Sequence, residues 1–242
     1  MHASLESVQE RPGVQLAQRP SCDVFVKLGG SILDQDGATA ALIPSLTEFA
    51  QKYRILILTG GGQAVKRIKS NQRSCRTHFY NCWRAGVSYL EANAYLLASY
   101  STQFMVVSSL TDIATCFSTR SVGVFAPSGA IVNSLSLVPD WEVTTDSMGL
   151  YFASAFGARR YVIISDVDGI YERRPEKGPW GAPIPQLSVT QLEHLPSSKL
   201  DRAFTEYFRR HALPTVIVNG RNPERVSAAI QGEATVGTRI EE

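Results

Sequence analysis

The sequence predicts an α/β fold built on a parallel sheet. Three features lead there: short, almost continuously apolar runs that end in glycine, segments of helical period between them, and a repeat of the strand-to-glycine pattern after the first helix. CDVFVKLGG opens the fold at about Cys22 and reads as a buried strand running into a tight turn. Leu42, Ile43, Leu46, Phe49 and Ala50 then recur at helical spacing, and RILILTGGG from Arg54 supplies a second buried strand with a triple-glycine exit. Strand, helix and strand make a βαβ unit. Such a unit sets both glycine turns at the carboxyl edge of the sheet, where open α/β folds bind ligands.

The same pattern continues along the chain. Residues 62–70 and 86–100 fit a helical period, QFMVVSSL and VGVFAP fit strands, and Asn71 to Arg84 fits neither. SMGLYFASAFGA reads as a helix closed by Gly157, and RRYVIISDVDGIY as a strand of parallel-sheet character. Pro175 to Pro185 is expected to be a surface loop or hairpin, and Lys199 to His211 an amphipathic helix. PTVIVNG is a further buried strand, NPERVSAAIQG a helix with Pro223 near its start, and TVGTRI a final edge strand. Neither a repeat nor a linker interrupts this order, so residues 22–242 are expected to form one domain. Residues 1–21, with Pro12, Pro20 and no apolar period, read as an arm or a strap onto a neighbouring subunit.

Composition narrows the classes of function. Of the 242 residues, 44% are hydrophobic and 19% charged, enough apolar material for a core and too little charge for disorder. The formal charge of +2 offers no field of one sign for a nucleic-acid backbone. The N-terminal stretch lacks the apolar centre of a signal peptide, and no run approaches the roughly 18 apolar residues of a membrane span, so a cytoplasmic protein without a membrane partner is expected. Cys22, Cys75, Cys82 and Cys116 contain no CxxC pair and read as free thiols. Cys75, His78 and Cys82 lie close in sequence, but a structural zinc site needs four ligands, and no metal site is expected there.

The candidates for chemistry are glycine turns and a lysine. Phosphoryl transfer asks a protein for cations and backbone donors arranged around the moving group rather than for covalent help. Lys27, Gly29, Gly30 and Ser31 meet that requirement, although a strand-end lysine and an ordinary turn would account for KLGGS alone. Gly60, Gly61 and Gly62 shift the balance by adding a second anion site at the same edge, one for a donor and one for an acceptor. Thr144, Thr145, Asp146 and Ser147 precede a helix, where a plain N-cap would explain only one of the four. The Asp146 carboxylate could orient Lys27 or help to place Mg2+. Asp166, Asp168, Gly169 and Tyr171 follow a strand, where a nucleotide could lie across the turn; DVDG lacks the remaining ligands of a calcium loop.

KLGGS, TGGG, TTDS and SDVDGIYERRP, in that order, resemble the amino-acid-kinase superfamily from about residue 22 to 240. The resemblance implies a three-layer α/β/α sandwich around a mainly parallel, eight-stranded sheet, with ATP on the C-terminal half and the acceptor on the N-terminal half. It implies Lys27 as the cation on the moving phosphoryl, Asp146 as its organiser, and Gly29, Gly30 and Ser31 on the ATP phosphates. Gly60, Gly61, Gly62, Thr144 and Thr145 would face a small anionic acceptor, and Asp166, Asp168, Gly169 and Tyr171 the nucleotide. Mg-ATP as co-substrate and a homo-oligomer are implied as well. PSG followed by DWEVTTDSMGLYFA, and VIVNGRNPERV, look like the aminomethyl-furanylmethyl phosphate kinases of methanofuran biosynthesis, which make a diphosphate from a phosphate monoester. Uridylate kinases share TTDS and VDG, but their glycine loop continues into an Arg-Gly pair where this chain has GGGQAVKRIK. The molybdenum storage protein shares AFGA and VNG but carries prolines and a basic residue where this chain has DWEVT. The second catalytic lysine of acetylglutamate-type kinases has no secure counterpart; Lys199 is near it in order, and the end of a loop before the Asp201 helix would account for it equally.

Overall fold

The computed structural model describes residues 21–75, 78–134, 137, 139–172, 181–195 and 200–242. The expected N-terminal arm, the first half of the proline-rich segment and Lys199 lie outside the described residues, apart from Ser21. The chain opens with β1 (Val24–Leu28), the short α1 (Gly30–Leu33), α2 (Asp36–Ala50) and β2 (Ile55–Thr59). Two helices follow, α3 (Gly62–Cys75) and α4 (Phe79–Ala98), and take up much of the stretch that fitted no period. Then come β3 (Phe104–Val107), α5 (Leu110–Ser118), β4 (Val122–Phe125), α6 (Ser128–Val132), α7 (Thr145–Ala155) and β5 (Arg160–Ser165). The chain closes with β6 (Gln186–Ser188), α8 (Val189–Glu193), α9 (Phe204–His211), β7 (Thr215–Asn219), α10 (Pro223–Gln231) and β8 (Thr238–Glu241).

All eight strands join one sheet in the order β3-β4-β2-β1-β5-β7-β8-β6. Every pair is parallel except β7 with β8. The expected fold class is therefore found, with one correction at the border. TVGTRI yields β8, but β8 lies between β7 and β6, and the edge belongs to the three-residue β6. Only Leu187 of β6 is buried, so that strand has no apolar run by which a sequence could reveal it.

The three layers follow from the two-residue period of the central strands. Val24, Val26 and Leu28 of β1 enter a cluster with Leu42, Leu46 and Phe49 of α2 and with Val226 and Ile230 of α10. Phe25 points the other way, into a cluster with Leu150 and Phe152 of α7 and Phe204 and Phe208 of α9. Lys27 shares the face of Phe25, so strand geometry alone directs this cation toward α7.

Candidate active site

The two glycine turns meet at the carboxyl edge of the central strands. A Cβ on Gly30 would lie 2.1 Å from the Gly62 nitrogen, and one on Gly60 would lie 2.5 Å from the Gly30 nitrogen. Only glycine lets two backbones approach so closely. Gly60 N donates to Leu28 O at 2.8 Å, and Gly29 N to Ile164 O at 2.8 Å, which ties the exits of β1, β2 and β5 together. From α4, Asn93 Nδ2 donates to Gly60 O at 2.7 Å. Gly62 has φ +58°, in the left-handed region, and its neighbour Gln63 N donates to Asp34 Oδ2 at 3.0 Å. Gly29 itself is the N-cap of α1, which carries Gly30 and Ser31.

Lys27 and Asp146 are paired. Lys27 Nζ lies 2.6 Å from Asp146 Oδ1, and the two side chains are only 12% and 13% exposed. The contact is ionic rather than a well-angled hydrogen bond, which leaves Oδ1, a buried atom, with capacity for a further cation or donor. Asp146 sits in the first turn of α7, where Thr144 is the N-cap and its hydroxyl accepts from Asp146 N at 3.3 Å. Beneath that turn, Tyr161 Oη donates to Asp146 O at 3.0 Å. Burial, with the charges of Asp146 and Asp201 behind it, raises the Tyr161 phenol well above its usual value, so it stays a neutral donor.

Asp201 is a residue of this edge that sequence reasoning misses. Its Oδ2 accepts from Thr144 N at 3.1 Å, Thr144 Oγ1 at 2.7 Å and Ser147 N at 3.2 Å, and Oδ1 accepts from Ser147 Oγ. The amides and hydroxyls of Thr144 and Ser147 thus turn to this aspartate. Burial first, and then the neighbouring Asp146 charge, push the Asp201 carboxyl up. Its one sequence signal is its place in the amphipathic stretch expected to be helical from Lys199, whose helix α9 begins only at Phe204, and that stretch carries no hint of a partner so far back in the chain.

Beside the second glycine turn lies a cavity of about 260 Å³. Val65, Trp83, Val87, Leu90, Trp141 and Met148 give it apolar and aromatic walls, with Gly61, Gly62, Thr144 and Thr145 along one side. Lys66, Lys69 and Asp140 supply its charges. Lys69 Nζ donates to Trp141 O at 3.2 Å and stands 6.0 Å from the Trp141 ring centroid. Trp141 Nε1 is buried without a partner among the described residues, a donor left for a bound molecule.

The DVDG turn is anchored elsewhere. Asp168 Oδ1 accepts from Arg225 NH1 at 2.6 Å and from Asn219 Nδ2 at 2.9 Å, which fastens the turn to β7 and α10. Thr238 Oγ1 receives Ile170 N at 2.8 Å, and a Cβ on Gly169 would lie 2.5 Å from that same oxygen. Ser165 Oγ approaches Asp166 Oδ1 at 3.4 Å, and the buried Tyr171 phenol is raised by desolvation and then by the Asp168 charge. These residues form a second group, next to the first along the same edge. Of the cysteine-histidine segment, His78 is the exposed N-cap of α4 and Cys82 is half-buried in its first turn, while the Cys75 side chain lies outside the described residues.

Comparison with known proteins agrees with this geometry. The model of the Amino acid kinase family matches residues 24–219. The [5-(aminomethyl)furan-3-yl]methyl phosphate kinase of Methanocaldococcus jannaschii is 23% identical over 218 residues, 89% of this chain and 96% of that protein. A uridylate kinase of Methanothermobacter thermautotrophicus is 26% identical over 229 residues, 90% of this chain and 98% of its own length. Among solved structures, uridylate kinase from Archaeoglobus fulgidus superposes with a TM-score of 0.71 at 24% identity, covering 90% of this chain and 99% of that one, a likeness of fold. No described helix is long and apolar enough to cross a membrane. With the matched region running from β1 through β7 and enclosing both glycine turns, the chain belongs to the amino acid kinase family and is a phosphotransferase.

Proposed function

We propose that this kinase moves the γ-phosphoryl of ATP onto a small aromatic phosphate monoester, of the kind named for its Methanocaldococcus relative, giving a diphosphate. The observation that carries the reading is the aromatic cavity of about 260 Å³ against Gly61 and Gly62. A flat heteroaromatic ring suits walls of Trp83 and Trp141, while Lys66, Lys69 and the glycine amides suit its phosphate. Asp140 suits a cationic amine. A nucleoside would bury ribose hydroxyls and a polar base edge against the same apolar walls, at a cost for each unpaired group.

In this reading an acceptor phosphate oxygen attacks the γ-phosphorus of ATP. A new phosphoanhydride bond forms and the bond to the β–γ bridging oxygen breaks, releasing ADP. Lys27 meets the charge on the transferring group, Asp146 keeps Lys27 in place, and Gly29, Gly30 and Ser31 hold the ATP phosphates. Gly60, Gly61, Gly62, Thr144 and Thr145 line the acceptor side, and Asp166, Asp168, Gly169 and Tyr171 the nucleotide side. The buried Asp146 Oδ1 and the close glycine backbones fit an Mg2+-bound triphosphate; the ion would neutralise phosphate charge. The reading includes one domain over residues 22–242, with acceptor and ATP on its N- and C-terminal halves, a cytoplasmic setting and a homo-oligomer.

The test is ADP release from Mg-ATP with the furan phosphate, UMP, acetylglutamate and molybdate. Turnover with the furan phosphate is expected. Turnover with UMP alone would favour a uridylate kinase, which the relative from Methanothermobacter supports as a second reading. Tight ATP binding without turnover on any acceptor would favour nucleotide-dependent storage or regulation instead.

A further inference from the structure

We infer that Asp201 is the positioning residue of the Lys27–Asp146 pair: its carboxylate grips the first turn of α7 and thereby sets where Asp146 meets Lys27. The inference rests on the roles just proposed for Lys27 and Asp146.

Lys27 has little freedom of its own. It lies in register with Leu58 on one side and Ile163 on the other, so its backbone is fixed by the two strands flanking β1. The separation of the pair is therefore governed by α7. The first turn of that helix has amides without intrahelical partners, and Asp201 takes two of them, on Thr144 and Ser147, together with both hydroxyls. Asp146 lies between these two gripped residues. On its other side the turn meets the Tyr161 hydroxyl, which donates to the carbonyls of Asp146 at 3.0 Å and Thr145 at 3.4 Å. The turn is thus clamped between the loop preceding α9 and strand β5.

A role in capping alone does not account for this arrangement. Thr144 already serves as the N-cap, accepting from Asp146 N. A second acidic side chain, half-buried and beside Asp146, is a costly way to finish a helix. Thr144 also lines both the aromatic cavity and a polar cavity of about 590 Å³ that includes Asp201 and Arg202. The gripped turn is therefore a wall shared by two cavities, which is where small displacements would be felt by the reacting groups.

The experiment compares Asp201→Ala and Asp201→Asn with Lys27→Ala and Asp146→Asn, measuring kcat and KM for Mg-ATP with the furan phosphate or UMP. Asp201→Ala is expected to lower kcat about 10²-fold, the cost of a misplacement of about an ångström, with both KM values changed by only a few-fold. Asp201→Asn is expected to recover most of kcat, since the amide oxygen can keep the three Oδ2 contacts while its NH2 donates to the Ser147 hydroxyl. An Asn variant as impaired as the Ala variant would overturn positioning in favour of charge. If Asp201→Ala keeps full kcat while Lys27→Ala loses it, the inference fails and the site stands; if Lys27→Ala keeps full kcat, the site reading itself fails. Should Asp201→Ala not fold, the double variant Thr144→Val, Ser147→Ala removes two of the four contacts and is expected to lower kcat, an unchanged value counting against the inference. Should neither acceptor turn over, the Lys27 15Nζ resonance is expected to shift in Asp201→Ala and return in Asp201→Asn; an unmoved resonance would overturn the proposal.

Discussion

The two edges of the central strands treat aspartate in opposite ways. At the amino edge, Asp23 just ahead of β1 accepts from Arg54 N, Nε and NH2 at 2.9, 3.1 and 3.0 Å. The Arg54 hydrogen bonds hold that carboxyl below the usual carboxylate range. At the carboxyl edge, Asp201 is met by amides and hydroxyls beside the acidic Asp146, and burial and that neighbour push it up. Ionised Asp23 favours the folded state, whereas ionised Asp201 opposes it. One edge fastens strands; the other stores unfavourable charge where chemistry is proposed, as functional sites often do.

Variants on the two edges should therefore separate activity from stability. The largest effect is expected for Lys27→Ala, which removes the cation proposed to meet the transferring phosphoryl. Loss of one such electrostatic contact costs of order 10²-fold or more in kcat, about 3 kcal/mol. The chain should still fold, although Asp146 left without its cation lowers the melting temperature, so an active variant or an unfolded one would each break the contrast. Gly30→Ala comes next. The added methyl would overlap the Gly62 backbone at 2.1 Å, where no flexible side-chain end can give way. Overpacking of this kind costs about 1–3 kcal/mol and would part the two glycine turns. Denaturant unfolding should show the loss, and activity should fall with it.

How much of this edge was legible depends on what built it. The glycine turns, Lys27 and the TTDS turn were readable because local sequence made them: a buried strand must end, and glycine is what permits the close approach that follows. The side of the sheet that Lys27 faces followed from the period of two. Asp201 was invisible for the converse reason. Its partner Ser147 lies 54 residues earlier, and no local pattern announces a contact between a loop and a helix start. Asp168 stands out in the sequence as a site candidate, but its Arg225 and Asn219 partners are 57 and 51 residues away, beyond any local pattern. At the sheet border, β6 has too few residues to show a period, so the sequence alone points to β8 as the edge.

Asp168→Asn probes the nucleotide side of the carboxyl edge with a smaller expected effect. The Arg225–Asp168 pair is 29% and 37% exposed, so its contribution to stability is screened and should be about 1 kcal/mol or less. If Asp168 faces nucleotide, KM for ATP should rise several-fold with kcat retained. An unchanged KM would confine Asp168 to fastening the DVDG turn onto α10.

The smallest effect, and the one that tests the amino edge, is expected for Asp23→Asn. The folded carboxyl is depressed, so its stabilising contribution is fully present above the unfolded value of about 3.9 and is lost as pH falls through the folded value. Because Arg54 is 43% exposed, the contribution should be about 1 kcal/mol or less. Unfolding free energies of the two proteins should then differ at pH 7 and converge toward pH 2, while kcat at neutral pH remains equal. A difference that persists unchanged in acid would assign the effect to the hydrogen bonds from Arg54 N rather than to charge. A fall in kcat would mean that the register between β1 and β2, fastened at the amino edge, reaches the glycine turns at the other end of the same strands.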